Sequence, residues 1–137
     1  MYGSLRSHIV AEILLVEPDQ VLARTYAAAL KVAGHHVRTS LTAQGALQAA
    51  DANAPDLVLL ELQLVAHSGV EFLHEFRSYA DWQRIPVIIN SSVPPQEFRQ
   101  SVDMLKNRLG VQAYLYKPAT TLSTLLDAVE ATFAAVA

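Results

Sequence analysis

Four short stretches of the chain set polar side chains directly behind apolar runs. Glu17, Pro18 and Asp19 follow "ILLV", and Glu61 follows "DLVLL". Asn90, Ser91 and Ser92 follow "PVII", and Lys117 with Pro118 follows "AYLY". Acids, hydroxyls and an ammonium brought to one place make a phosphate-handling set. A carboxylate accepts the group or holds a metal, while the hydroxyl and the ammonium hold phosphate oxygens. Each residue also has a plainer role. Asp19 suits the first turn of a helix, Ser91 and Ser92 suit a helix cap, and Tyr114 suits a packed core. Glu61 is the odd member, a charge closing a run that reads as buried, carried one methylene further out than an aspartate would carry it.

The elements that must position these groups alternate regularly. Strands are expected at 12–17, 36–41, 56–61, 86–90 and 113–117, the third and fourth apolar throughout, as in strands covered on both faces. A helix is expected after each. The first carries Val21, Leu22, Tyr26, Ala29, Leu30 and Ala33 on one stripe and stops at Gly34. The second ends before Pro55, and the third opens on the capping box of Ser68 and Glu71 with Val70, Leu73 and Phe76 inward. The fourth opens at Pro94 and Pro95 and uses Phe98, Val102, Leu105 and Leu109. The last uses Leu122, Leu125, Leu126, Val129 and Phe133. Five βα units with right-handed crossovers give a doubly wound α/β fold, a five-stranded parallel sheet with helices on both faces. Functional groups of such sheets gather beyond the carboxyl ends of the strands, where all four polar stretches fall.

Composition bounds the rest. The 137 residues, 52% hydrophobic and 17% charged, fit one globular domain over 11–137 behind a tail of 1–10. A net charge of -3 gives no footprint for nucleic acid. The absence of cysteine rules out disulfides and thiol chemistry. No apolar run reaches the roughly 18 residues of a membrane span, so a cytoplasmic protein with no membrane contact is expected. His35 and His36 read as a solvated turn. His67 and His74 lack an acid to complete a metal set, and the stretch around Trp82 reads as cover for a helix–strand corner.

The pieces "ILLVEPD", "APDLVLLELQL", "SGVEFL", "IPVIINSS" and "YLYKP" together resemble the receiver domains of two-component response regulators, over about residues 11–134. The resemblance implies a flavodoxin-like strand order 2-1-3-4-5. It sets Glu61 at the phospho-accepting aspartate, and Glu17 and Pro18 at an acidic pair that binds Mg²⁺. Ser91 takes the switch hydroxyl position, Tyr114 the rotating aromatic, and Lys117 the phosphate-contacting lysine. Lys117–Pro118 takes a bond that is usually cis.

Two departures matter. Pro18 supplies no side-chain oxygen to an ion that demands near-ideal octahedral geometry. Asp19, one residue on, points about 100° away around a helix. The Glu61 carboxylate lies roughly 1.5 Å further out, and misplacement of that order costs about 10²-fold in a reaction that depends on positioning. Glu61 is therefore expected to be a fixed charge reaching toward Ser91 and Lys117. The expected function is a non-enzymatic receiver module of a two-component or phosphorelay system. It works without phosphorylation and without cofactor, through contact with a sensor kinase or an effector. The fourth helix, in a segment from Ser91 to Lys117 that is longer than the family's by about one turn (3.6 residues), the fifth strand and the fifth helix form the expected contact face, and the alanines of the last helix also suit a homodimer. Two alternatives stand beside this. One is a Mg²⁺-dependent phospho-receiver using Asp19 or Glu17. The other is a small flavodoxin-like enzyme or cofactor binder, against which the first βα turn, "EPDQ", offers no glycine cradle.

Overall fold

The structure, a computed structural model, describes residues 9–97 and 103–134, so most of the expected tail lies outside the described residues. The chain runs β1 (Glu12–Val16), α1 (Gln20–Val32), β2 (His36–Ser40), α2 (Ala43–Ala52), β3 (Leu57–Leu60), α3 (Gly69–Ser78) and β4 (Val87–Ser91). A π turn (Met104–Arg108), β5 (Val111–Tyr116) and a C-terminal helix (Leu122–Ala134) follow. The strands form one parallel sheet in the order β2-β1-β3-β4-β5, the expected architecture. Alternate strand side chains feed opposite faces. Leu14, Val16, Leu60 and Ile89 pack with Phe72 and Phe76 of α3. Ile13, Leu15, Leu59 and Ile88 pack with Tyr26 and Leu30 of α1 and with Leu125 and Val129 of the C-terminal helix. No described helix is long and apolar enough to cross a membrane.

Several local expectations are corrected. α1 buries Ala23, Tyr26, Ala27 and Leu30, while Val21 is 70% exposed. The small Ala23 and Ala27 let the helix lie close to the sheet, and this sets its rotation. His35 is buried, because its Nδ1 accepts the Ala11 N–H at 3.1 Å; His36 is exposed as expected. No described peptide bond is cis, so Lys117–Pro118 is trans. The trans form is the lower one by about 0.5–1 kcal/mol, and Pro118 opens a 3₁₀ turn (Lys117–Ala119), where a missing N–H costs little.

The segment between β4 and β5 departs furthest. Its expected inward residues Phe98 and Val102 lie outside the described residues, whereas Leu105 and Leu109 are buried as expected. The described part closes through a bond from the Leu109 N–H to the Met104 carbonyl at 2.8 Å, an i→i+5 link that accommodates an extra residue in one turn. β5 then starts two residues earlier than expected, at Val111 behind Gly110, whose φ of 65° suits glycine. A register shift between Val87 and Ile88 of β4 leaves Gln112 bulged out of the ladder.

Candidate functional site

The strand ends fix the site. Val16 of β1 lies opposite Leu60 of β3, so Glu17 and Glu61 emerge side by side. The Glu61 N–H extends the ladder by one bond, to the Val16 carbonyl at 3.0 Å. Ser91 ends β4, and Lys117 follows β5. Gly69 closes the rear of the β3–α3 loop: a Cβ there would fall 2.6 Å from the Leu62 Cα, so only glycine lets the loop and α3 pack this closely.

Lys117 Nζ lies 2.7 Å from Glu17 Oε1 and 2.7 Å from Glu61 Oε1. Both carboxylates are buried, Glu17 at 2% exposure and Glu61 at 3%. Burial works against the ammonium charge, but the bonds to Glu17 and Glu61 outweigh it and hold the Lys117 pKa above the ordinary lysine range. Burial likewise opposes the Glu61 charge. Bonds from Lys117, Ser91 and the Gln63 backbone prevail and hold its pKa below the usual carboxylate range. The three formal charges sum to one negative charge over a single cation.

The Glu61 carboxylate is fully engaged. The Ser91 hydroxyl donates to Oε2, and the Gln63 N–H donates to the same oxygen at 3.0 Å. The Ser92 N–H donates to Oε1 at 3.3 Å. Glu17 Oε2 accepts the Asp19 N–H at 3.0 Å. Asp19 turns away from the rim and caps α1, its Oδ1 accepting the N–H groups of Val21 at 2.9 Å and Leu22 at 3.1 Å. Pro18 adds no ligand.

From Ser91 the contacts run sideways. Its Oγ accepts the Val93 N–H at 3.1 Å, and the Tyr114 hydroxyl donates to the Val93 carbonyl at 2.6 Å. Burial pushes the Tyr114 pKa up to about 12, with the nearby Ser91 hydroxyl opposing and the charges of Glu61 and Glu97 adding to the rise.

Glu17, Glu61, Ser91 and Lys117 therefore meet at one point, Tyr114 joins through Val93, and Asp19 touches the set only through its backbone. Sequence reasoning missed Gln63. Its N–H reaches Glu61, and its Oε1 accepts the Ser92 hydroxyl at 2.9 Å. The available signal was position alone, two residues past the strand-end acid. Among the described residues no group of three or more His, Cys, Asp or Glu side chains is placed to hold a metal ion.

Comparison with known proteins gives a consistent result. The family model described as "Response regulator receiver domain" matches residues 13–130. The KDP operon transcriptional regulatory protein KdpE of Escherichia coli is 31% identical over 109 residues, 80% of this chain and 45% of that protein. A gliding motility regulatory protein of Myxococcus xanthus is 29% identical over 86% of this chain and 15% of its own length. The chain thus spans less than half of either relative. The solved chemotaxis protein CheY4 of Vibrio cholerae superposes with a TM-score of 0.78 at 21% identity, over 89% of this chain and 98% of that one, which shows the shared fold.

Proposed function

The chain belongs to the response regulator receiver family of two-component signalling, and from that premise we propose a receiver that signals by protein contact without being phosphorylated. One observation carries this reading. The Glu61 carboxylate bonds both the Lys117 ammonium at 2.7 Å and the Ser91 hydroxyl, the two groups that an incoming phosphate would need. The side chain at the acceptor position fills the place of the group it would accept.

The donor set argues against a resident Mg²⁺ ion. Of the oxygens at the tip of β1, Glu17 is committed to Lys117 and to the Asp19 N–H, Asp19 Oδ1 is committed to the cap of α1, and Pro18 has none. An octahedral ion using Glu17 would have to compete with the ammonium, and Asp19 is held at the helix start by its cap. That burden also weighs against a conventional receiver using Asp19 or Glu17.

Receiver domains work with kinases and effector domains, and the partner of this one meets the face built by the π turn, β5 and the C-terminal helix. The π turn before β5 supports that choice, since its extra residue, with the bulge at Gln112 beside it, reshapes the surface on that side of the sheet. Leu122, expected on the packed stripe of the C-terminal helix, stands exposed at its start.

The test is phosphodonor uptake followed by intact mass. With Mg²⁺ and acetyl phosphate the native chain is expected to show no adduct. Glu61→Asp combined with Pro18→Asp frees Ser91 and Lys117 and restores an oxygen at the tip of β1; it is expected to gain a phosphoryl mass. A stoichiometric adduct on native Glu61 would refute the proposal.

A further inference from the structure

We propose that Gln63 and Ser92 form a clasp that closes the rim over Glu61 and keeps its carboxylate from solvent. The clasp is a ring of contacts. Ser92 Oγ donates to Gln63 Oε1 at 2.9 Å. Below that bond the same two residues hold the carboxylate by their backbones, Gln63 N–H on Oε2 at 3.0 Å and Ser92 N–H on Oε1 at 3.3 Å. Ser92 Oγ itself lies 3.5 Å from Glu61 Oε1. The two clasp side chains are exposed while the acid beneath them is buried, so the bond between them is the outer layer of the site.

The β3–α3 loop is built to hold this pose. Gln63 pairs with Ser68 in an isolated antiparallel bridge, and the Gly69 N–H donates to the Leu62 carbonyl at 2.7 Å. Ala66 takes up the turn at a φ of 69°, a left-handed conformation that non-glycine residues seldom adopt. Both ends of the loop are therefore pinned, and Gln63 reaches across to the β4 side from a fixed base. Lys117 secures the charge of Glu61 from within, and the clasp controls access to it from outside.

The inference rests on the closed-site reading but is measured separately from phosphate uptake. Carboxyl labelling with a water-soluble carbodiimide and glycine ethyl ester, read by peptide mass spectrometry, reports the access of each acid. In the native chain Glu61 and Glu17 are expected to label slowly. Gln63→Ala or Ser92→Ala is expected to raise Glu61 labelling about three- to tenfold, the effect of losing one neutral hydrogen bond. Glu17 labelling should stay unchanged. The double variant should label no faster than the faster single one, because both remove the same bond. Glu61 labelling that stays at the native rate in the single variants, that rises together with Glu17, or that rises additively in the double variant would overturn the clasp. Failure here with an unphosphorylatable native chain refutes the clasp alone, whereas phosphate uptake by the native chain refutes the reading beneath it.

Discussion

At the scale of single residues the site is a balance of two buried acids against one ammonium. Both acids are buried. Removing Lys117 leaves both Glu17 and Glu61 buried without a cation, and breaking a buried pair in this way costs about 3–5 kcal/mol. Lys117→Met is therefore expected to lower the urea midpoint by that equivalent at neutral pH. The pH dependence follows from the two shifts. The Glu61 pKa is lowered in the folded chain, so its stabilisation is complete above the unfolded value of about 4.3 and is lost as pH falls through the lower folded value. The Lys117 pKa is raised, so its stabilisation is complete below about 10.4 and is lost as pH rises through the higher folded value. Native stability should show a plateau between these limits. In Lys117→Met, Glu61 loses the first of the bonds that depress its pKa. The acid limb of the unfolding curve should move to higher pH and the alkaline limb should lose its lysine contribution. Unfolding midpoints measured from pH 3 to 11 check both limbs, and an unmoved acid limb would show that Ser91 and the backbone hold Glu61 without the lysine.

At the scale of elements, Arg77 joins parts that no sheet ladder connects. Its guanidinium, 5.6 Å above the Phe76 ring, donates to the Leu109 carbonyl at 2.8 Å and to the Trp82 carbonyl at 2.6 Å. It thus ties the end of α3 and the turn at Trp82 to the end of the π turn. Arg77→Met keeps much of the apolar stem but leaves three carbonyls, those of Leu109, Trp82 and, at 3.4 Å, Gly110, without their charged donor. Hydrogen bonds to charged groups contribute about 1.5–3 kcal/mol each, so a loss of at least about 3 kcal/mol in urea unfolding is expected, while labelling of Glu61 stays at its native rate. The elements themselves were largely legible in the sequence. Apolar runs ending in polar groups marked the four strand tips of the site, and the pair Ser68 and Glu71 marked the start of α3, where both capping bonds form. What escaped was decided by packing. The rotation of α1 depends on how closely Ala23 and Ala27 let it approach the sheet. The π turn and the bulge at Gln112 each take up one extra residue beside a fixed sheet, which no periodicity marks. The burial of His35 depends on a bond to Ala11 across the fold. Gln63 sits in a loop whose course is set by Ala66 and Gly69, and no periodicity points its side chain.

At the scale of the whole molecule the contacts of Glu61 and Lys117 join the tips of four strands and omit one. Glu17 extends β1, Glu61 extends β3, Ser91 ends β4 and Lys117 follows β5, whereas β2 is an edge strand that pairs with β1 alone. Proteins open in parts, and each part opens at a free energy set by its own contacts. The rim should therefore behave as one cooperative patch and β2 as another. In native hydrogen exchange the amides of Glu61, Gln63 and Ser92 should be protected, Glu61 by the Val16 carbonyl and the other two by the Glu61 carboxylate. Lys117→Met takes the cation from the centre of the patch, and the freed carboxylate gains by turning toward water. The Gln63 and Ser92 amides lose their acceptor when it does so, and their exchange is expected to accelerate by at least tenfold. The amides of His36, bonded to the Ala11 carbonyl at 3.0 Å, and of Arg38, which faces β1 on the same side of the strand, should keep their rates at pH values where unfolding of the whole chain does not limit exchange. Equal acceleration in β2 would mean that the ion trio supports the entire fold. Acceleration confined to the rim would mean that the loops behind β3 and β4 open around Glu61 as a unit while the rest of the sheet stays closed.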